Sequence, residues 1–481
     1  LTDSKVYIAL QHLSVYELNS FRKYLESPYF NVNESLLSLF DVYDPILRQQ
    51  SNEELTKEII WKLVYPKKSQ FNDTKYRKLH SELLRLFEEF LAQKVFDGNK
   101  FLKGNLTLQA VRKRKIEKLY KSVSASSDRA LEHNYNRSSE YLYAKYFNEK
   151  EKLELYSETD IMKMRTKNYD AVINISDTVS YLDQYYIAEK LKYYVKLLAW
   201  KKFLPLDQEL DYIDLVKQMK NTEANQEIPP IAIYDTISKT QLDQDDTESY
   251  FLLKKQVEEF IDYFPDIEIG GIYDALLSFA VRMVNKGNLS FQEETLEVYK
   301  GALQKKTIFE NGYIMSINFN NIVFFALRTG NFDYAEQFVE DYQDQLHPKE
   351  RTSSVAFSLA RIHFYRKNYG KVIELLQEVE MNSVLYTLSS KTILLLSYYE
   401  LDEFDALDSF INSFKVYLNR ERSITTRKKG TYKNLLKYVT KLINLRSSDQ
   451  AGLKKLKTEV EAATGVGSKP WLLQKIEEKI R

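Results

Sequence analysis

Three stretches in the second half of the chain constrain the fold more than anything else in it. Each follows a short polar turn: "GNFDYAEQFVEDY" carries Phe332, "KNYGKVIELLQEV" carries Tyr369 and "DEFDALDSFINSF" carries Phe404, at intervals of 37 and 35 residues. Three residues after each aromatic stands an apolar residue, Ala335, Val372 and Leu407, and four further on another, Val339, Leu376 and Ile411. Before each turn runs an apolar helical stretch: "NNIVFFALR", "VAFSLARIHFY" and "KTILLLSYYE". A looser copy, "VRMVNKGNLSF", places Gly287-Asn288 where Gly330-Asn331 stands. One helical hairpin cannot bury its apolar face alone, so recurrence of this kind implies stacked hairpins sharing one core. Phe332, Ala335, Tyr369, Val372, Phe404 and Leu407 are expected to be buried at equivalent places.

Composition supports helices over sheet. Glycine (13) and proline (9) are scarce in 481 residues, well below the usual shares of about 7% and 5%, whereas a sheet protein of this length needs many such turns. An almost wholly helical chain without sheet is expected. Tyrosine is abundant, with 36 residues, and suits helix seams where one end of the ring stays wet.

The pattern resembles that of the tetratricopeptide-repeat (TPR) superfamily, whose 34-residue unit runs Trp, Leu-Gly, Tyr, Ala-x3-Phe, Pro. Phe319 to Pro348 keeps its second half, with Ala335, Val339 and Pro348. It departs in the first, where Phe319, Val323 and Ala326 stand at the Trp, Gly and Tyr places, and its units are one to three residues longer. The resemblance covers Gly271–Asn419, extends more loosely to Asn105–Pro230, and does not reach the first hundred residues. It implies an all-α, helical-hairpin repeat array (α-solenoid, TPR-like). The first helices would line a groove for a protein or peptide, built from Asn320, Phe324, Arg328, Phe357, Arg361, Tyr365 and Tyr399, with packing in the core between repeats the alternative for its aromatics.

The expected organisation is an N-terminal helical module at 1–100, the array at 101–446 and capping helices at 447–481, with a polar loop near 221–230. "SVYE" at Ser14–Glu17 and "SNEE" at Ser51–Glu54 are capping boxes. Pro28 and Pro66 bound early helices, and a helix runs from about Thr74 to Val95. "LTLQAVRKRKIEKLYKSV", "DRALEHNYNRSSEYLYAKYF" and Tyr181 to Phe203 read as longer helices. After the link "ATGVGSK", Pro470 opens a final helix whose Trp471, Leu472 and Ile476 would dock on the last repeat.

Little points to catalysis. The chain has no cysteine, which removes disulfides, thiolate metal sites and cysteine nucleophiles. The five histidines are far apart and form no HExxH. "GVGSK" lacks the phosphate-loop spacing, and Asp243, Asp245 and Asp246 lack the rest of a calcium loop. No cofactor, no metal and no enzymatic activity are expected. No apolar run of about 18 residues is present, so no membrane-spanning helix is expected. With no visible signal peptide, a cytoplasmic location is expected. The chain does not begin with Met, so a segment removed before Leu1 stays open.

Charge supplies the remaining signal. Net charge is +1, but 415–446 holds ten basic residues and one acid, a local +9, and 207–266 holds fifteen acids and five lysines, a local −10. Arg422, Arg427, Lys428, Lys429, Lys433, Lys437 and Lys441 form a candidate patch for an acidic protein or for nucleic acid, with Tyr417, Tyr432 or Tyr438 offered for base stacking. A solvated helix face is the plain alternative. The leading expectation is a non-enzymatic protein-interaction scaffold or adaptor. The alternative is a nucleic-acid-binding repeat protein using 415–446. The two charge blocks are expected to stay apart.

Overall fold

The computed structural model describes residues 4–48, 55–67, 70–133, 136–155, 173–219, 225, 227–377 and 383–481. These are almost entirely helical. They divide into two compact units, Leu1–Glu189 and Lys190–Arg481. The "SNEE" box and half of the expected loop at 221–230 lie outside the described residues, and the two prolines expected to end that loop instead open a helix, Pro229–Leu242, whose first turn needs no donor from them.

The first unit begins with α1 (Lys5–Leu10), α2 (Val15–Glu26), α3 (Glu34–Leu47), α4 (Lys57–Val64) and α5 (Asp73–Gly98). Ser14 caps α2 by the reciprocal box: the Glu17 N–H donates to the Ser14 hydroxyl (3.3 Å), and the Ser14 N–H donates to the Glu17 carboxylate (2.9 Å). Pro28 leaves Ser27 extended, and α2 ends there. Five helices bury one core from Val6 to Phe90, in which Phe21 packs edge-on against Phe40 and Phe87. Tyr43 is fully buried, and its hydroxyl meets His80 Nε2 at 2.5 Å, while His80 Nδ1 faces the Tyr76 carbonyl at 2.9 Å.

The unit continues with α6 (Lys100–Lys113), α7 (Glu117–Glu132) and α8 (Ser139–Leu153), and the boundary falls inside α9 (Ile175–Lys201). The stretch Leu106–Val123, expected as one helix, is two. Lys115 takes φ +55°, and the Ile116 N–H donates to the Val111 carbonyl across the break. The expected helix Asp128–Phe147 is likewise split, between Glu132 and Ser139. Amphipathic spacing survived both breaks because the flanking helices bury the same kind of face, so periodicity alone did not mark them. Arg112 ties α6 to α8 by ion pairs to Glu151 (2.6 Å), which is 1% exposed, and to Glu154 (2.7 Å).

The second unit holds α10 (Ile213–Met219), α11 (Pro229–Leu242), α12 (Thr247–Phe260), α13 (Asp266–Asn285), α14 (Phe291–Gln304), α15 (Ser316–Arg328), α16 (Phe332–Tyr342), α17 (Pro348–Tyr365), α18 (Tyr369–Gln377), α19 (Val384–Glu400), α20 (Phe404–Arg420), α21 (Thr426–Asn444), α22 (Gln450–Ala462) and α23 (Lys469–Ile480). From α11 to α23 each helix packs on the next, and first helices also meet across pairs, α11 on α13, α15 on α17 and α17 on α19. The expectation of no sheet needs one correction. Phe309–Glu310 and Tyr313–Ile314 form an antiparallel β1–β2 hairpin around Asn311-Gly312, both at positive φ, as a two-residue turn requires. This hairpin lengthens the α14–α15 connection.

The recurrence in the sequence has a counterpart in the backbone. Gly287, Gly330, Lys367 and Asp402 close α13, α15, α17 and α19 at φ +96°, +78°, +61° and +58°. In each case the next N–H reaches back five residues: Asn288 to Met283, Asn331 to Ala326, Asn368 to His363 and Glu403 to Tyr398, at 2.8–3.0 Å. This is the Schellman termination, in which a left-handed residue turns the chain out of the helix and satisfies its last carbonyls. Of these four terminations two use glycine, one Lys and one Asp, and among the described residues Lys115 and Lys306 end α6 and α14 in the same way.

Of the six residues expected to be buried, Ala335, Val372 and Leu407 are fully so, as are Val339, Leu376 and Ile411 behind them. The three aromatics are not. Phe332 and Tyr369 are half-buried, and Phe404 is 38% exposed. They occupy the first position of the second helix, where the side chain leans back past the helix start toward the rim. There Phe332 meets Tyr365, Tyr369 meets Phe364 and Phe404 meets Tyr399. At the C-terminal end, Leu453, Leu456, Val460, Leu472 and Ile476 join the core of α20 and α21. Half-buried Trp471 lies edge-on to Tyr399 (5.2 Å) and donates to the Glu400 carboxylate (2.6 Å). The link before α23 is held: the Gly467 N–H donates to the Thr431 carbonyl, and Asn434 donates to Gly465.

Candidate functional sites

The groove residues separate into two sets. Asn320 and Phe357 were expected to line the groove, but both are buried, at 1% and 0% exposure. The Asn320 side chain donates to the Ser316 carbonyl and accepts from the Ser358 hydroxyl, so it ties α15 to α17. Phe357 packs against Tyr386 of α19. Their helical positions point between first helices that touch, a contact that spacing within one helix does not reveal.

The other set reaches the surface. Phe324 is half-buried, Arg328 is exposed and Tyr365 is 38% exposed. The Arg361 guanidinium lies 4.2 Å from the Phe357 ring centre and 5.1 Å from that of Phe324, and that of Arg328 lies 5.8 Å from the Phe324 ring centre. Arg361 also donates to the Asn320 carbonyl (3.3 Å), and burial pushes its guanidinium down to about 10. Neither arginine has a carboxylate partner among the described residues. Cation and ring faces are therefore interleaved over α15 and α17. Tyr399, the last groove candidate, is half-buried against Phe404 and Trp471, where burial raises its hydroxyl to about 12. It belongs to the cap more than to a groove. Beside this surface, Ser316, Asn320, Glu350, Ser353, Ser354, Phe357, Ser383 and Tyr386 line a cavity of about 70 Å³, room for no more than a few waters.

The basic segment also resolves into parts. Arg422, Arg427 and Lys428 are exposed and Lys429 is half-buried on the approach to α21 and its first turn. Lys433, Lys437 and Lys441 follow at four-residue steps along α21, opposite its buried Leu435, Leu436, Val439 and Leu442. Lys415 and Asn419 of α20 face the same cleft as Lys433, Lys437, Thr440 and Lys441, whose volume is about 520 Å³. Lys415 and Asn419 fall inside the basic 415–446 segment but were not among the named patch residues, because nothing in one helix's spacing tells which neighbour it faces.

The tyrosines offered for base stacking are otherwise engaged. Tyr438 is 7% exposed, Tyr432 packs against Phe414, and Lys391 lies over Tyr417. Tyr432 and Tyr417 are both half-buried. No ion pair joins the 207–266 acids to the 415–446 bases among the described residues. Asp245 pairs with Lys286, Asp262 with Lys305, and Lys441 with Glu459.

Of the histidines, His347 caps α17 by accepting from the Lys349 N–H, and His80 is packed against Tyr43 and Tyr76. Asp246 caps α12. Among the described residues no group of three His, Asp or Glu is placed to hold a metal ion, and no helix is long and apolar enough to cross a membrane. Compared with protein-family models, curated proteins and solved structures, the chain matches none.

Proposed function

We propose that the chain is a non-enzymatic, TPR-like α-solenoid that binds another protein across the outward parts of α15 and α17. The observation that carries this reading is the surface of Phe324, Arg328 and Tyr365, backed by the buried Arg361 guanidinium, which packs on the Phe324 and Phe357 rings. The exposed Arg328 guanidinium lies over the Phe324 ring with no carboxylate of the described chain to answer it. Aromatic area and a planar fork of donors are what a partner's backbone and carboxylates are recognised by. The surface spans two successive hairpins, so its geometry depends on their stacking, as in a scaffold built from repeats. Capture from native extract of the source organism, with and without nuclease, tests the reading. The wild type retains a nuclease-resistant partner, and Phe324→Ala/Arg328→Ala/Tyr365→Ala loses it. A partner retained equally by the triple variant, or no partner, overturns the proposal.

A further inference from the structure

Four lysines from two helices converge on the cleft between α20 and α21. Lys415, Lys433 and Lys437 are exposed and have no ion pair among the described residues. Lys441 is the exception, held by Glu459 at 2.6 Å. That contact, with smaller contributions from Lys455 and then Lys437, keeps the Glu459 carboxyl below its ordinary value. One acid against four cations leaves the cleft positive. The ammonium groups of Lys437 and Lys441 also stand over the Tyr438 ring, at 5.4 and 5.8 Å. The buried stripe beneath them fixes the helix that carries them. Like charges gathered in a concavity focus a field on whatever enters it.

The chemistry of the lining selects the ligand. The cleft holds lysines, an amide and a hydroxyl, and no arginine. Ammonium groups act as point charges on flexible stems, so they select by charge more than by planar geometry, and a phosphate group at about −2 answers them better than a carboxylate at −1. No aromatic side chain lines the cleft, so a base has nothing to stack on. A volume of about 520 Å³ is that of a small-molecule pocket, not of a surface that cradles a duplex. We propose that this cleft binds a compact polyphosphate, several phosphate groups on one small non-aromatic scaffold, at a site separate from the α15–α17 surface.

The test is calorimetric titration of the full chain with inositol hexakisphosphate and, in parallel, inorganic tripolyphosphate, at low and at raised salt. The two probes distinguish a cyclitol from a linear source. One-to-one binding that weakens with salt is expected for at least one of them. Each charge-assisted contact removed weakens binding by about tenfold. Lys433→Gln/Lys437→Gln therefore weakens it by about a hundredfold, and Lys415→Gln, from the other helix, by about tenfold. All three lysines are exposed, and circular dichroism verifies that the variants keep their helices. Lys75→Gln/Lys78→Gln, equal in charge but on α5, leaves binding unchanged. Absence of binding to both probes at low salt overturns the proposal. So does equal weakening by the α5 control, wild-type affinity in the cleft variants, or tighter binding there of poly-glutamate or single-stranded DNA.

Discussion

The left-handed cap of each hairpin makes a prediction that separates backbone geometry from side-chain packing. At Gly330 a Cβ would meet nothing within 4 Å, so Gly330→Ala adds no clash and isolates the backbone term. A non-glycine residue in the left-handed region costs about 1–2 kcal/mol. Restricting the unfolded chain returns about 0.4–1 kcal/mol. The expected net loss is about 1 kcal/mol. At Lys367, φ +61°, the arithmetic reverses: Lys367→Gly relieves the strain and gives up the unfolded-state term, a net gain of about 0.5–1 kcal/mol. Asp402→Gly gains less, since aspartate tolerates this conformation better than lysine. The assay is hydrogen exchange of the amides of α15 to α20, which reads the local opening free energy of each hairpin, alongside urea midpoints. A stabilised Gly330→Ala, or a Lys367→Gly that loses about 1 kcal/mol or more, would refute the shared-cap reasoning.

Further perturbations have equally definite outcomes. Ala335→Trp, at a fully buried contact between α15 and α16, overpacks the pair and destabilises it by about 1–3 kcal/mol, read as a lower urea midpoint. Arg112→Ala strands the Glu151 carboxylate, which is 1% exposed; breaking such a pair costs about 3–5 kcal/mol, and the loss registers in exchange of α6 and α8. Burial holds His80 below its ordinary value near 6.5. The unfolded chain therefore takes up the proton first as pH falls. The stability this histidine contributes is full above about pH 6.5 and is lost as pH drops through that value toward the lower folded one. His80→Gln should flatten the pH dependence of the first unit's urea midpoint as pH falls below about 6.5. Trp471→Ala removes the ring on Tyr399 and the bond to Glu400. With Trp471 half-buried, a loss of about 2–3 kcal/mol is expected, seen as faster exchange in α23 and at the end of α19.

The helices were legible where a single helix carries its own evidence. The box at Ser14–Glu17 and the prolines at 348 and 470 stand where short-range rules put them. The equivalence of Ala335, Val372 and Leu407 was readable because an apolar residue three places after a turn faces its partner helix whatever the neighbours are. Two things escaped. Lys367 and Asp402 hold a conformation that sequence reading assigns to glycine, so the four caps could not be seen as one motif. The site residues escaped for another reason: burial of Asn320 and Phe357, and the meeting of Lys415 with Lys433 and Lys437, depend on which helix lies opposite. That is a property of stacking between helices 10 to 40 residues apart, and one sequence carries no record of it. For the charge blocks, no ion pair joins one to the other among the described residues, where Asp245, Asp262 and Lys441 have partners outside the opposite block.

The most direct measurement of the central claim is a hydrogen-exchange footprint of the full chain with its captured protein partner bound. The account predicts slowed exchange at the outward ends of α15 and α17, around Phe324, Arg328 and Tyr365, with α1 to α5 unchanged. Protection confined to the first unit, or to α20 and α21 alone, would contradict it.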